Sequence, residues 1–182
     1  MAGPAGAGKT TVYTSILPKW FVKGAQYANV DVYAEYFMEA YGLATDAEKL
    51  SAVIKGAICT QQDLKRWMTE RRHLIIDKPC DKAAEARALV RNLRAAGYDV
   101  YMLVVTASKA QALSRNRRRT RQVPDAVVEA IWQGVHVNLV KGVYAGIFKE
   151  APEHLLVVDN EHEIAPEAKK QWEGVFPASR RS

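Results

Sequence analysis

The sequence predicts an α/β fold, a parallel sheet flanked by helices with an arginine-rich lid, and three observations carry that reading. Short apolar runs alternate with helix-length amphipathic segments along most of the chain. Strands separated by helices of that length pair in parallel through crossover connections. Two of the apolar runs, Ala28-Asn29-Val30 and Leu74-Ile75-Ile76, lead directly into an aspartate, Asp31 and Asp77. Near the N-terminus, Gly3-Pro4-Ala5-Gly6-Ala7-Gly8-Lys9-Thr10 spells G-x-x-x-x-G-K-[ST], a phosphate loop (P-loop) that opens a helix.

The elements follow in order. Lys9 to Leu17 predicts a helix stopped by Pro18. Gln26 to Val30 predicts a strand ending at Asp31, and Val32 to Tyr41 a helix closed by Gly42. Thr45 and Glu48 form a capping box, after which Leu50, Val53, Ile54, Ala57 and Ile58 recur at helical spacing. Leu64, Trp67 and Met68 extend that expected core face. His73 to Ile76 predicts a buried strand ending at Asp77, and Asp81 is expected to cap a helix running to Ala96, with Gly97 as the stop.

Asp99 to Val105 predicts the next strand, Ser108 caps an arginine-rich helix, and Pro124 opens another. That last helix carries Val127, Val128, Ile131, Trp132, Val135 and Leu139 on one face, before a final strand from Leu155 to Val158. Residues 1–160 are expected to form one domain and 161–182 a C-terminal tail, with one helix before Pro177 and a frayed end at Arg180–Ser182. A buried strand normally feeds a phosphate loop. Only Met1 and Ala2 precede this one, so either the usual first strand is cut off, the favoured expectation, or the fold manages without it.

Composition narrows the function classes. The 182 residues are 48% hydrophobic and 25% charged, which excludes a disordered or collagen-like chain and fits one domain. Lys and Arg outnumber Asp and Glu by 26 to 20, a net +6 that favours a polyanionic partner. Cys59 and Cys80 are too isolated for a disulfide framework or zinc site and read as buried thiols in a reducing cytosol. His73, His136, His154 and His162 lack metal-ligand spacing. No apolar run reaches the ~20 residues a membrane helix needs, and no signal peptide is visible, so a cytoplasmic protein is expected.

The chemistry-bearing residues form three groups. In the loop, the backbone of Gly3, Gly6, Ala7 and Gly8 can wrap phosphate oxygens, with Lys9 reaching the β- and γ-phosphates of ATP. The Thr10 hydroxyl can ligate Mg²⁺, and Thr11 adjoins it on the helix. Asp31 and Asp77 stand where ligands bind in open α/β sheets, so one can accept a proton from an attacking hydroxyl while the other holds Mg²⁺. Finally, Arg115, Arg117, Arg118, Arg119 and Arg121 crowd one segment. Arg115 and Arg119 lie four apart, on one face if helical, and suit the transferring phosphoryl group; the others, Arg118 among them, suit an acidic substrate backbone. Tyr33, two residues past Asp31, can flank an acceptor base.

Taken together, Gly3–Thr10, Asn29-Val30-Asp31-Val32-Tyr33, Leu74-Ile75-Ile76-Asp77 and Arg115-Asn116 through Arg119 to Val123-Pro124 resemble the kinase domain of phage polynucleotide kinase and the zeta-toxin-like P-loop kinases. Arg115 to Val143 and Val157-Val158-Asp159-Asn160 look especially like small phage kinases of that group, some of which act on 5-hydroxymethyluridine in DNA. The resemblance implies an ATP- and Mg²⁺-dependent kinase of a modified DNA base in an infected bacterial cell. It casts Asp31 as the acid that activates the acceptor, Lys9 and Thr10 as phosphate and Mg²⁺ contacts, and Arg119 as the lid arginine with Arg115 nearby. Two positions depart from the pattern. Ala34 stands where polynucleotide kinase has an arginine, which weakens a 5′-hydroxyl kinase reading, and Lys78-Pro79 follow Asp77, adding positive charge beside the acceptor. A kinase of a nucleotide sugar such as UDP-N-acetylglucosamine uses the same phosphate machinery, and an ATP-gated DNA-binding module is the non-enzymatic alternative.

Overall fold

The computed structural model describes residues 1–119, 121–161, 170 and 172. In chain order the elements are α1 (Lys9–Ile16), α2 (Lys19–Gly24), β1 (Gln26–Ala28), α3 (Val30–Ala40), α4 (Asp46–Thr69), β2 (Leu74–Ile76), α5 (Ala83–Ala95), β3 (Met102–Thr106), α6 (Lys109–Arg117), α7 (Asp125–Val140), α8 (Val143–Ile147) and β4 (Leu155–Asp159). They fall into two units, Gly24–Asp77 and the remainder, Met1–Lys23 with Lys78–Ser182.

The larger unit is built on β3, whose Met102, Leu103, Val104 and Val105 are all buried. It pairs in parallel with β4, Met102 opposite Leu155 through Thr106 opposite Asp159. On the other side of β3 the chain's first residues act as strand. Ala2 donates to Leu103 O at 2.8 Å and accepts from Val105 N at 2.9 Å. Met1 O accepts from Lys78 N at 3.2 Å and Gly3 N donates to Pro79 O at 3.0 Å. Bonding that alternates between two neighbours is the pattern of an interior strand. Beside β3 the described residues form only an isolated parallel bridge, Ala2 with Val104, and no full strand where the usual first strand of such a sheet would stand.

One face of this sheet is covered by Ala86 and Val90 of α5, Val135 of α7, Tyr144 of α8 and Phe148, packed with Ala2, Met102 and Val104. Burying a side chain the size of Val90, Val135, Met102 or Phe148 contributes ~1.5–3 kcal/mol. A polar node sits inside the cluster. The Tyr144 hydroxyl donates to Cys80 O at 2.8 Å, and Asn138 Nδ2 donates to Asp81 O at 2.7 Å and Cys80 O at 3.2 Å. Cys80 occupies the left-handed region at φ 55°, a turn whose carbonyl those two side chains hold. Burial raises the Cys80 thiol above its ordinary pKa and pushes the Tyr144 phenol up to about 12. Cys59 is partly exposed.

In the smaller unit β1 and β2 pair in parallel, with Ala28 opposite Ile76, and α3 and α4 form a helical hairpin. The Thr45–Glu48 capping box starts α4 as expected. Its expected core face is corrected. Ala52, Gly56, Thr60 and Trp67 are buried, whereas Leu50, Ile54 and Ile58 are each more than half exposed. The reason is the closeness of α3: a Cβ on Gly56 would lie 2.9 Å from Val30 O and 3.0 Å from Ala34 N. Only small residues admit a backbone that near, so the larger aliphatics take the opposite side of the helix.

Three boundaries also shift. The strand before Asp31 ends at Ala28 because Asn29 caps α3, which places Asp31 in that helix's first turn. Asp81 does not cap α5; Lys82 is its N-cap, without a side-chain bond. Helix α6 ends at Arg117, so Arg119 lies beyond it and shares no helix face with Arg115. Two short helices, α2 and α8, have no counterpart in the sequence reading, and Val127 on α7 is exposed rather than packed. Of the expected tail helix only Lys170 and Trp172 are described, both helical; His162, Pro177 and the end at Arg180–Ser182 lie outside the described residues, as does Thr120. Trp172 is buried, with its ring against Tyr101.

An unfolded phenol ionises near ~10, while folded Tyr144 holds its proton up to about 12. Its contribution to stability is therefore intact below pH ~10 and lost as the pH climbs through the folded value. Urea titrations should find Tyr144→Phe less stable than the wild type by about 1 kcal/mol at pH 8, with the gap narrowing or reversing at pH 11. A gap unchanged between the two pH values would contradict this assignment.

Candidate active site

The phosphate loop runs from the hydrogen-bonded Met1–Gly3 backbone into α1. Gly8 sits at φ 82° as the N-cap, with no side-chain cap on the helix and no acidic residue in its first turn. The partial positive charge of that helix end is left for a ligand. Lys9 folds across the loop, its Nζ donating to Gly3 O at 3.0 Å and Pro4 O at 3.2 Å. Thr10 and Thr11 are exposed on α1, and Ala7 is buried.

Two neighbours fix the far side of the loop. Helix α6 approaches so closely that a Cβ on Gly6, itself at φ 78°, would lie 2.1 Å from Ala112 O. Asn160, just past β4, donates from Nδ2 to Ala7 O at 2.8 Å, and the same nitrogen would be 2.3 Å from a Cβ on Gly8. Asn160 O in turn accepts from Arg115 Nη2 at 3.0 Å. The other guanidinium nitrogen, Arg115 Nη1, is buried without a hydrogen-bond partner among the described residues and stands 3.7 Å from the position of a Gly8 Cβ. A buried cationic N–H lacking an acceptor is costly unless a ligand supplies one.

The remaining arginines are sorted by one buried side chain. Asn116 is fully buried; its Nδ2 donates to Val123 O at 2.7 Å and its Oδ1 accepts from Val123 N at 3.2 Å. That pair closes the neck of the segment carrying Arg117, Arg118, Arg119 and Arg121. Arg117 is tied to Asp125 at 2.5 Å, Arg118 is exposed as the C-cap of α6, and Arg119 donates its backbone N–H to Asn116 O at 3.1 Å. Beside Pro4 a cleft of about 420 Å³ is lined by Ser108, Trp132, His136, Asp159 and Glu161 among others. Trp132, expected in the core, lines it and donates its indole N–H to Ala107 O at 2.9 Å. Lys78 is exposed.

In the smaller unit Asp31 and Asp77 are brought together by a shared neighbour. Asn29 Oδ1 accepts from Asp31 N at 2.8 Å, while Asn29 Nδ2 donates to Asp77 Oδ2 at 3.2 Å. The Tyr27 hydroxyl donates to the same Asp77 oxygen at 2.9 Å. Tyr33 is turned to α4, where its hydroxyl donates to Asp63, which also pairs with Arg66. Asn29, Asn116, Asn160 and Tyr27 were not singled out as site residues from the sequence. Asn29 alone carried a local signal there, an asparagine directly before a helix.

Residues 1–137 match the AAA domain family. The chain belongs to that family. This AAA domain also superimposes on a chain from the crystal structure of AvrRxo1-ORF1:-ORF2 with ATP, with a TM-score of 0.69 and 18% identity. The match covers 96% of the AAA-domain chain and 61% of the AvrRxo1 chain, so the present chain spans about three fifths of that length. At such identity the likeness shows the fold, an α/β arrangement of short parallel strands flanked by helices. No curated protein matches the chain. Among the described residues no helix is long and apolar enough to cross a membrane.

Asn116→Ala should open the neck of the arginine segment. Trypsin is expected to cleave among residues 117–121 at least tenfold faster than in the wild type, with a stability loss of about 2 kcal/mol from two lost buried hydrogen bonds. An unchanged cleavage rate would show that Asn116 does not hold the segment.

Proposed function

We propose that this chain is an ATP- and Mg²⁺-dependent phosphotransferase acting on a hydroxyl of nucleic acid, most specifically the 5-hydroxymethyl group of 5-hydroxymethyluridine in DNA, in a phage-infected bacterial cell. The observation that carries the phosphate chemistry is Arg115, whose buried Nη1 stands beside the loop without an acceptor among the described residues. A nucleotide phosphate oxygen supplies that acceptor, adding a fixed cation to Lys9 and the uncapped end of α1. ATP is the phosphoryl donor in this reading, as it accompanies the similar fold of AvrRxo1.

In the reaction, the acceptor oxygen attacks the γ-phosphorus as its proton passes to the Asp31 carboxylate, and the bond to ADP breaks. Lys9, Arg115 and Arg119 offset the charge on the phosphoryl oxygens. The Thr10 hydroxyl and the Asp77 carboxylate are assigned to Mg²⁺ as hard oxygen donors, the carboxylate oriented by the two hydrogen bonds it accepts. Donors of this kind suit Mg²⁺, which keeps several waters and takes one or two protein ligands; when bound, it would neutralise phosphate charge. Lys78 and the exposed Arg118 are assigned to the substrate's phosphates, consistent with the net +6 of the chain. A base inside a duplex must be flipped out at a cost of a few kcal/mol, roughly what several phosphate contacts return.

The test is transfer of radiolabelled γ-phosphate from ATP with Mg²⁺ to DNA containing 5-hydroxymethyluridine, with thymidine DNA as control. Label on the modified DNA alone is the expected result. Asp31→Asn should lower that transfer by at least 10³-fold, about 4 kcal/mol of barrier, while ATP affinity stays within threefold. Label on UDP-N-acetylglucosamine but on neither DNA would replace the nucleic-acid reading with that of a nucleotide-sugar kinase. An active Asp31→Asn enzyme would remove Asp31 from the mechanism.

A further inference from the structure

We propose that Asn29 is a positioning residue that sets both carboxylates of the reaction at once, a role that rests on the phosphotransfer reading above. Its side chain is used at both ends. Oδ1 accepts the Asp31 backbone N–H at 2.8 Å, which starts α3 and sets the backbone from which the Asp31 carboxylate leaves. Nδ2 donates to Asp77 Oδ2 at 3.2 Å and to the Tyr27 hydroxyl at 2.9 Å, and that hydroxyl donates to the same Asp77 oxygen at 2.9 Å. Amide, phenol and carboxylate thus close a triangle.

The backbone explains why these groups meet. Strands β1 and β2 are in register to their ends, Ala28 opposite Ile76, and Asp77 N donates to Ala28 O at 2.9 Å. The residues that follow each strand, Asn29 and Asp77, are therefore side by side. The amide orientation is fixed by its neighbours, because the Asp31 N–H needs an acceptor and the Asp77 carboxylate needs a donor.

Capping alone does not account for asparagine. Ser, Thr and Asp supply a cap acceptor about as well, but none of them supplies both that acceptor and an amide donor for a carboxylate. The second end of Asn29 answers to Asp77 and not to the helix. A residue tied to the main chain of one acid and the side chain of the other sets the two relative to each other, independently of how tightly ATP binds.

The experiment compares Asn29→Asp and Asn29→Ser with the wild type in kcat and in KM for ATP, alongside melting temperatures that include Asp77→Asn and the double variant. Both single substitutions at 29 keep a cap acceptor and lose the amide donor. Each is expected to lower kcat at least tenfold with KM for ATP within twofold. In the melting series Asn29→Asp should lower Tm by setting two carboxylates together, and adding Asp77→Asn should recover at least half of that loss, since the amide and carboxylate are then merely exchanged. Wild-type kcat in either variant, or strictly additive Tm changes, would overturn the proposal. A wild-type protein that transfers phosphate to no acceptor would remove the phosphotransfer reading, and with it the role in a reaction. A coupled Tm series beside that result would leave Asn29 as a purely structural link.

Discussion

The backbone of Met1–Gly3, hydrogen-bonded on both sides, is the constraint on which the phosphate loop depends. Ala2 is locked to β3 while Met1 and Gly3 are locked to Lys78 and Pro79, so the loop leaves the sheet from a fixed point. From there each contact is close enough to leave no room for a side chain, with α6 against Gly6 and Asn160 against Gly8. Loop and neighbours form one packed unit. The same sheet supports the polar node under Tyr144, whose bonds to the Cys80 and Asp81 carbonyls brace the turn just after Pro79. Position at the loop is thus inherited from the core.

The arginine segment shows how one buried amide sorts identical side chains. Five arginines stand within seven residues, yet Asn116, in the last turn of α6, binds Val123 across the segment, and the arginines meet different partners. Arg115 is held on the loop by Asn160 O, Arg117 is neutralised by Asp125, and Arg118 is exposed. A charge pinned against the loop needs no lid movement to meet a phosphate, and so costs no reorganisation at the moment of reaction. In the proposed reaction Arg119 joins it at the transferring phosphoryl group, and Arg118 answers to the substrate's phosphates.

Much of this was legible in the residues, and the exceptions have physical causes. The loop motif, the parallel strands, the Thr45–Glu48 box and the Ser108 cap depend on local spacing, which a sequence displays directly. The core face of α4 does not. Periodicity marked Leu50, Ile54 and Ile58, but contact with α3 demanded small residues, a requirement imposed from outside the helix. The same holds for Asn116 and Asn160, whose partners lie seven and more than a hundred residues away. The bridge at Ala2 was not legible because so few residues show no pattern, and the hydrogen bonds of Met1–Gly3 come from segments far along the chain.

The central claim is that the loop and Arg115 form a site for a polyphosphate. Calorimetric titration with ADP and with AMP, on the wild type and on Arg115→Gln, tests it most directly. ADP is expected to bind the wild type at least a hundredfold more tightly than AMP, and the substitution to remove at least tenfold of that difference. Equal affinity for ADP and AMP, or a difference untouched by the loss of Arg115, would contradict it.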